Sequence, residues 1–487
     1  MKLILVGLGS FGSSWYKRLK RDYADLDVAV VDANPERAAL LEGSGKAFYT
    51  SLEEAIQHEQ PDFILNATPP HVHTEVIHTA FDHRLPVLCE KPISDDYEDV
   101  VWAVARAEKE GIPFMVAENY RRAPAMRRVK ELIDSGAIGT LTAMHCDLYQ
   151  PYRTEKPYFM RMKHPLLVDV VVHHLDLMRY LTGSEGRRIY AHGYRPPESW
   201  HPGNVALDLV LEMGGGVRAS FVGSLVTRGP ETGWPGHWRI EGTAGTIISA
   251  GDEIQVCVNG AQGQTIAGVS DVRTNGPLDD FRLLLGGKGG IESTGADYVK
   301  TQALVYYAKQ SCDCNQAIDI QLPRACETGE WSEEEMFRTT RYQGAIVRDH
   351  HILLIQHRHH EDGRSYWLIP GGGRTPRETY EQGVRREMLE ETHLDVRVER
   401  LLLEDHVPRR GIYSRYRTYL CTPVGGEAQP GYEPEEDASA AYGIVAVTWL
   451  DLRDTSSWDP VIREDVITFP LLQRIRAALG YISDSGV

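Results

Sequence analysis

Three groups of residues carry chemistry by type and spacing. Glu387, Glu390 and Glu391 stand at i, i+3 and i+4, which on a helix puts three carboxylates on one face. Uncompensated, they repel one another and destabilise the helix. A hard divalent cation, Mg²⁺ or Mn²⁺, removes that conflict with an all-oxygen site. Asp169 and His173 are likewise i and i+4. A carboxylate beside an imidazole fixes its tautomer and raises its basicity, which suits a general base near neutral pH. His174 and Asp176 fall on other faces and read as structural. Lys91 follows the apolar run Pro86 to Cys89, where its ammonium can donate to the oxygen of a reacting alcohol or carbonyl. The third group is Gly7-Leu8-Gly9-Ser10-Phe11-Gly12, between the apolar run Lys2 to Val6 and a helical run ending near Lys20. A second apolar run, Val28 to Val31, finishes on Asp32.

Strand, G-x-G-x-x-G, helix, strand and terminal acid is the order a dinucleotide-binding unit requires. Gly7 permits the tight turn, Gly9 lets the backbone approach a pyrophosphate, and Gly12 lets helix and strand pack closely. Ser10 and Phe11 open the helix at its positive end, where N–H groups hold phosphates. Asp32 accepts from ribose hydroxyls, and its charge repels the extra phosphate of NADP, so NAD is the expected cofactor. Further short strands read at Asp62 to Ala67, Pro86 to Cys89 and Pro113 to Ala117, with a helix at Pro35 to Leu41. Their ends, Thr68-Pro69-Pro70, Glu90-Lys91-Pro92 and Glu118-Asn119-Tyr120-Arg121, face one crevice, because ligands lie beyond the carboxyl ends of parallel strands.

From residue 121 the pattern becomes β-rich. A helix near Ala123 to Ser135 precedes Leu141 to Tyr149, Arg188 to Tyr194, Val205 to Met213, Gly216 to Val226, His237 to Glu241 and Ile254 to Val258. Glycine turns between them read as an antiparallel sheet, closed by a helix at Asp297 to Gln310. Thr328 to Phe337 is polar and acidic and reads as a linker. A strand pair at Gln343 to Gln356 and a strand at Ser365 to Ile369 follow it.

The chain has 487 residues, too many for one core. Its 42% apolar and 25% charged residues are those of an ordinary globular protein. The net charge of −17 argues against a nucleic-acid or anionic-membrane binder, both of which reward clustered positive charge. No run is long enough for a membrane span, and the opening MKLILVGLG is too short for a signal peptide. Seven scattered cysteines fit a reducing cytoplasm, and Cys312, Cys314 and Cys326 read as free thiols. The histidines at 350, 351, 357, 359 and 360 read as surface residues.

GLGSFG, the ATPPHVH stretch at Ala67 to His73, EKP at Glu90 to Pro92 and D-x-x-x-H at Asp169 to His173 resemble the glucose–fructose oxidoreductase/inositol dehydrogenase (Gfo/Idh/MocA) family. The resemblance implies a Rossmann domain (1–120) and an α/β open-sheet domain (121–327) that serves homo-oligomerisation. It adds Thr68, Pro69, His73, Glu90 and Lys91 to the cofactor contacts. Lys91, Asp169 and His173 become the catalytic set: His173 takes the hydroxyl proton, Asp169 supports it, and Lys91 polarises the oxygen. The family's glycines before the Asp are replaced here by Lys163-His164-Pro165-Leu166, which leaves the substrate open.

Pro370 to Leu394 resembles the Nudix box, with Gly372, Glu378, Arg386-Glu387 and Glu390-Glu391 at its spacing. This implies an α/β/α sandwich at 339–487, after a linker at 328–338, that hydrolyses a nucleoside diphosphate derivative. Glu387, Glu390 and Glu391 would bind metal, with Glu390 also catalytic; Arg386 would orient the carboxylates and Glu378 would pair with it. His393 replaces the last box glycine, at a position where φ is often positive. Glu435, Glu436 and Asp437 are further base or ligand candidates, and Pro408 resembles a feature of ADP-ribose hydrolases. The proline-rich element of NADH pyrophosphatases is absent, so hydrolysis of the partner domain's own cofactor is not expected. The expected whole is a cytoplasmic α/β and α+β multidomain enzyme. It joins an NAD-dependent dehydrogenase of a polyol, sugar or nucleotide sugar to a metal-dependent hydrolase. The alternative is that one half alone is catalytic.

Overall fold

The computed structural model describes residues 1–258, 264–266, 269, 271–331, 340–375, 378–406, 413, 415–432 and 440–482. Pro408 and Glu435 to Asp437 lie outside them, as does most of the expected linker. The chain divides into two compact units, Met1–Ser332 and Glu333–Val487.

The first unit opens with six strands: β1 (Lys2–Val6), β2 (Asp27–Val31), β3 (Phe48–Tyr49), β4 (Phe63–Asn66), β5 (Val87–Cys89) and β6 (Phe114–Val116). They form one parallel sheet in the order β3-β2-β1-β4-β5-β6. The strand order reverses between β1 and β4, so the crevice for a ligand opens there. β1, β2, β4, β5 and β6 are almost wholly buried, which is why each reads as a continuous apolar run. Pro35–Leu41 winds as a 3₁₀ helix, not an α-helix, with the Asn34 side chain accepting from the Glu36 N–H.

Nine further strands make the second sheet: β7 (Leu141–Tyr149), β8 (Gly186–Tyr194), β9 (Ala206–Met213), β10 (Arg218–Ser224), β11 (His237–Gly242), β12 (Gly245–Ala250), β13 (Glu253–Val258), β14 (Gln264–Ile266) and β15 (Ile318–Asp319). Their order is β14-β13-β12-β11-β7-β10-β9-β8-β15. The pairings are antiparallel except β10 with β7, which run parallel. Alternation along β8, β9 and β10 buries Ile189, Leu209, Leu211 and Phe221 and leaves Tyr190, Tyr194, Val210 and Val222 on an exposed face. The helix Gly295–Cys314 packs on the sheet and on the helices before it. Leu166–Val171 winds as a π-helix before the α-helix Val172–Thr182, a departure from the regular α-spacing that Asp169 and His173 suggest.

The second unit has β16 (Thr340–Arg348), β17 (His351–His359), β18 (Ser365–Leu368), β19 (Gly371–Gly372), β20 (Leu394–His406), β21 (Arg415–Gly426) and β22 (Tyr442–Asp451). Asp349 and His350, both at positive φ, make the tight turn between β16 and β17. The mixed sheet is covered on both faces. Val384 and Met388 of the helix Tyr380–Thr392 pack on Tyr342, Ile346 and Tyr419. Leu472 and Ile475 of the helix Thr468–Ala478 pack on Ala345, Ile352 and Trp458. Among the described residues no helix is long and apolar enough to cross a membrane, and all seven cysteines are unpaired.

Candidate active sites

In the first unit a cavity of about 550 Å³ opens at the edge of the parallel sheet. Gly7, Gly9, Ser10 and Phe11 line it, with Asp32, Thr68 and Pro69. Glu90 and Lys91 line it too. Gly7 adopts φ +89, and a Cβ on Gly12 would collide with the Gly7 carbonyl oxygen. A Cβ on Gly9 would meet nothing within 4 Å, so the loop backbone is open to the cavity. The helix Ser10–Asp22 begins without a side-chain cap and without an acid in its first turn. Its first N–H groups therefore lack side-chain acceptors, the arrangement a pyrophosphate satisfies. The Asp32 carboxylate is already aimed: Oδ2 accepts from the Leu8 N–H at 2.6 Å and Oδ1 from the Asn34 N–H at 2.9 Å. Each oxygen keeps a lone pair. These residues fit a dinucleotide.

His73 is not on the cavity wall, contrary to the cofactor contact the motif implies. It is fully buried, with Nδ1 2.7 Å from the Pro92 carbonyl and Nε2 2.7 Å from the Thr68 carbonyl. It ties two strand-end loops together from beneath, and burial pushes its pKa down to about 4. Glu90 is also a brace: its carboxylate accepts from the Trp15 indole N–H at 2.7 Å and from the Lys91 N–H at 3.2 Å.

A second cavity, of about 420 Å³, shares Phe11, Glu90, Lys91 and Asp169 with the first and adds Asn119, Tyr120 and His173. The structure thus brings Lys91, Asp169 and His173 to one place, but pairs them differently from the expectation. Lys91 Nζ donates to the Asp169 carbonyl at 2.7 Å and to its Oδ1 at 3.2 Å. The carboxylate that holds His173 is Glu118, not Asp169: His173 Nδ1 lies 2.8 and 2.9 Å from the two Glu118 oxygens. The physical reason is the π-wound segment, which aims Asp169 at Lys91, and the position of Glu118 just beyond β6. Glu118 also accepts from the Asn119 and Tyr120 N–H groups, both at 2.9 Å, and is fully buried.

Burial alone would raise the Glu118 carboxyl, but the facing imidazole and these N–H donors hold it well below the carboxylate range. A carboxylate only accepts, so Nδ1 of His173 carries the proton and donates, leaving Nε2 as the basic nitrogen. Tyr120 stacks on the His173 ring with centroids 4.1 Å apart. Burial alone would lower the Lys91 ammonium; Asp169 and Glu90 outweigh it and raise its pKa. Lys91 therefore stays charged, with one N–H left over after its two bonds to Asp169.

His174 and Asp176 are structural, as their faces imply. Asp176 pairs with Arg121, and Arg121 and Arg179 share Asp297 at 2.8 Å each. His174 is fully buried, its Nδ1–H donating to the Val170 carbonyl at 3.3 Å. Burial pushes its pKa down to about 4. An imidazole whose folded pKa lies below its unfolded one gains its proton on unfolding, so its contribution is complete above about pH 6.5 and is lost as pH falls toward 4. Denaturation across that window is expected to lose about 1.4 kcal/mol per pH unit from this group, with His73 adding the same sign. His174→Phe, which keeps the ring against Phe221 and Trp238, should flatten that slope by one proton; an unchanged slope would refute the assignment.

In the second unit, Thr379 and Gln382 form a capping box at the start of Tyr380–Thr392, and His393 ends the helix at φ +60. Histidine thus occupies the left-handed position where the box has glycine. Glu387 and Glu391 are almost fully buried and Glu390 partly so. A Cβ on Gly372 would collide with the Glu387 carboxylate, so only glycine lets that carboxylate lie against β19. The Gly371 N–H donates to Glu391 Oε2 at 2.6 Å. Arg386 grips Glu378 at 2.6 Å, Glu387 at 2.8 Å and Glu390 at 2.7 Å.

With Arg386 spanning two of the three glutamates, no three metal-binding side chains converge on one point among the described residues. The donor set nonetheless fits a hard divalent cation. It is all oxygen, and burial pushes the Glu387 carboxyl up to about 7 even against the opposing pull of Arg386 and Arg341. His357 is a correction: it is buried, stacked on Tyr442 with centroids 4.4 Å apart, and not a surface residue. It faces inward because β17 alternates at that position.

Residues 1–118 match the oxidoreductase family with an NAD-binding Rossmann fold, and residues 126–248 match the GFO/IDH/MocA C-terminal domain. Residues 338–466 match the NUDIX domain. The D-apiose dehydrogenase of Rhizobium rhizogenes is 25% identical over 342 residues, covering 66% of this chain and 97% of that protein. The inositol 2-dehydrogenase of Renibacterium salmoninarum is 32% identical over 190 residues, covering 38% of this chain and 56% of that protein. An oxidoreductase from Agrobacterium radiobacter, solved with NAD⁺, L-tartaric acid and magnesium, has a TM-score of 0.58 at 24% identity, covering 66% of this chain and 98% of that one. At that identity the likeness speaks for the fold. Over its N-terminal unit the chain therefore belongs to the Gfo/Idh/MocA oxidoreductases, and a NUDIX domain follows it.

Proposed function

We propose that the N-terminal unit is an NAD-dependent dehydrogenase acting on a hydroxyl of a sugar, cyclitol or nucleotide sugar. The C-terminal unit, in the same proposal, is a Mg²⁺- or Mn²⁺-dependent hydrolase of a nucleoside diphosphate-linked compound. The observation that carries the first half is the gathering of Lys91 and His173 at a cavity that adjoins the glycine loop. The glycine loop and the open helix end hold the phosphates, and Asp32 holds the ribose. NAD, when bound, supplies the hydride acceptor. His173 Nε2 takes the hydroxyl proton, while Glu118 holds the ring so that the resulting imidazolium is stabilised. Lys91 directs its remaining N–H at the same oxygen and favours the developing negative charge. Two relatives named for dehydrogenation of a cyclitol and of a sugar support this substrate class.

In the second half Glu387, Glu390 and Glu391 would hold the cation, which supplies Lewis acidity at phosphorus. Arg386 and the Gly371 N–H keep the carboxylates in place. The exposed face of the nine-stranded sheet, with Tyr190, Tyr194, Val210 and Val222, is the surface proposed for self-association, and the cytoplasm is the proposed compartment. The test is a screen of the full chain against polyols, sugars and nucleotide sugars. NADH absorbance and released phosphate or nucleotide are read separately, with and without Mg²⁺. NADH formation with at least one polyol or sugar, and metal-dependent release from at least one diphosphate, are expected. Silence in either channel removes that half of the proposal.

A further inference from the structure

Arg341 lies in β16 of the C-terminal unit, and among the described residues its guanidinium forms no hydrogen bond or ion pair. Its Nη2 is out of solvent without an acceptor, and the group sits 5.9 Å from the centroid of the Tyr413 ring. Other arginines out of solvent in this chain are matched: Arg121 by Asp176, Arg179 by Glu185, Arg415 by Glu404. Burial works against the guanidinium and the nearby charges of Glu391 and Glu387 offset that, but neither bonds to it, so its buried N–H donors are a standing cost unless an acceptor meets them.

Arg341 borders a cavity of about 820 Å³. Tyr366, Tyr413 and Tyr416 supply rings to its wall, and Leu368, Ile369 and Leu471 supply apolar surface. The acids on that wall are committed. Asp405 pairs with Arg474 at 2.7 Å, and Asp465 Oδ1 accepts from the Ile467 and Thr468 N–H groups at 2.9 and 2.6 Å. Among the described residues, with Arg474 paired to Asp405, Arg341 is thus the positive charge the cavity has to offer. Gln343, also on the wall, is in register with Gly371, whose N–H holds Glu391. The cavity therefore adjoins the carboxylate ridge.

We propose that Arg341 binds the diphosphate of the hydrolase substrate and that the tyrosine-lined cavity receives the planar ring the diphosphate carries. The proposal rests on reading the C-terminal unit as a hydrolase of diphosphate-linked compounds. A planar fork of N–H donors matches two phosphate oxygens at once. Tyrosine rings stack on the face of any base, so the cavity selects for a ring more than for one particular base.

Titration calorimetry on the full chain tests this, with Mg²⁺ present and each variant read against the wild-type chain, so that binding at the dinucleotide cavity, common to both, cancels. The probes are ADP and inorganic pyrophosphate. ADP is expected to bind about tenfold or more tightly than pyrophosphate, through stacking. Arg341→Gln should weaken both by about tenfold or more, and Arg341→Lys, a point charge without the fork, should fall between. Tyr416→Leu should weaken ADP and leave pyrophosphate within about twofold. Unchanged affinities in Arg341→Gln overturn the anchor, as does full affinity in Arg341→Lys should the glutamine variant not fold. Equal affinity for ADP and pyrophosphate overturns the ring cavity. Glu391→Gln separates the two readings: unimpaired hydrolysis there removes the hydrolase assignment, whereas lost hydrolysis with normal binding in Arg341→Gln removes only the anchor.

Discussion

Lys91→Ala stops hydride transfer while NAD remains bound: kcat is expected to fall by roughly 10²- to 10⁴-fold, with NAD affinity changed only a few-fold. The size follows from where the charge sits. Lys91 is held by two bonds to Asp169 at the boundary of the two cavities, and nearby carboxylates keep it protonated. Its remaining N–H is a positioned donor in a site largely out of water, where a donor stabilises an alkoxide far better than in solution. The dinucleotide contacts proposed for the glycine loop and Asp32 do not involve the ammonium, although Lys91 borders the same cavity. Lys91→Arg should rescue only a small part, because the fork is wider than a point charge and points differently. Steady-state NADH formation and NAD titration on the same preparations check both halves of the statement. Turnover at the wild-type rate in Lys91→Ala would end the catalytic assignment.

Glu391→Gln should abolish metal-dependent phosphate release, by roughly 10²-fold or more, and leave NADH formation at its wild-type rate. The amide keeps a carbonyl oxygen that can accept from the Gly371 N–H, so the local backbone is preserved and the lost quantity is charge. Two glutamates remain, and Arg386 already spans both, so a cation loses one of its three carboxylates. Dehydrogenase activity is the internal control, since the two compact units divide between Ser332 and Glu333. Phosphate release that survives the substitution would count against the carboxylate ridge as a metal site.

Much of this was legible in the chain because local rules govern it. Strand, glycine turn, helix and acid at residues 1–32 form a contiguous unit, and buried parallel strands announce themselves as apolar runs. The glutamate ridge needed only helical spacing. Long-range partners were not legible. Glu118 and His173 are 55 residues apart, and nothing in the intervening sequence says that their side chains meet. The one available signal was that Glu118 follows a strand whose end faces the crevice. The i, i+4 rule pointed instead to Asp169, and it failed because the segment is not α-wound there. His357 was misplaced for a related reason: a run of five nearby histidines suggests solubility, whereas strand alternation turns one of them into the core. Arg341 carried no signal at all, since an unmatched guanidinium is visible only once its surroundings are assembled.

The π-wound stretch from Leu166 to Val171 sets a limit on how this active site can drift. Such a turn houses one residue more than an α-turn. Losing a single residue there would let the helix relax into ordinary winding and swing everything upstream by about a hundred degrees. Asp169 would then face away from its ammonium while His173, anchored by Glu118 just beyond β6, stayed in place. Length in this short stretch is therefore as constrained as the identity of the residues that do the chemistry.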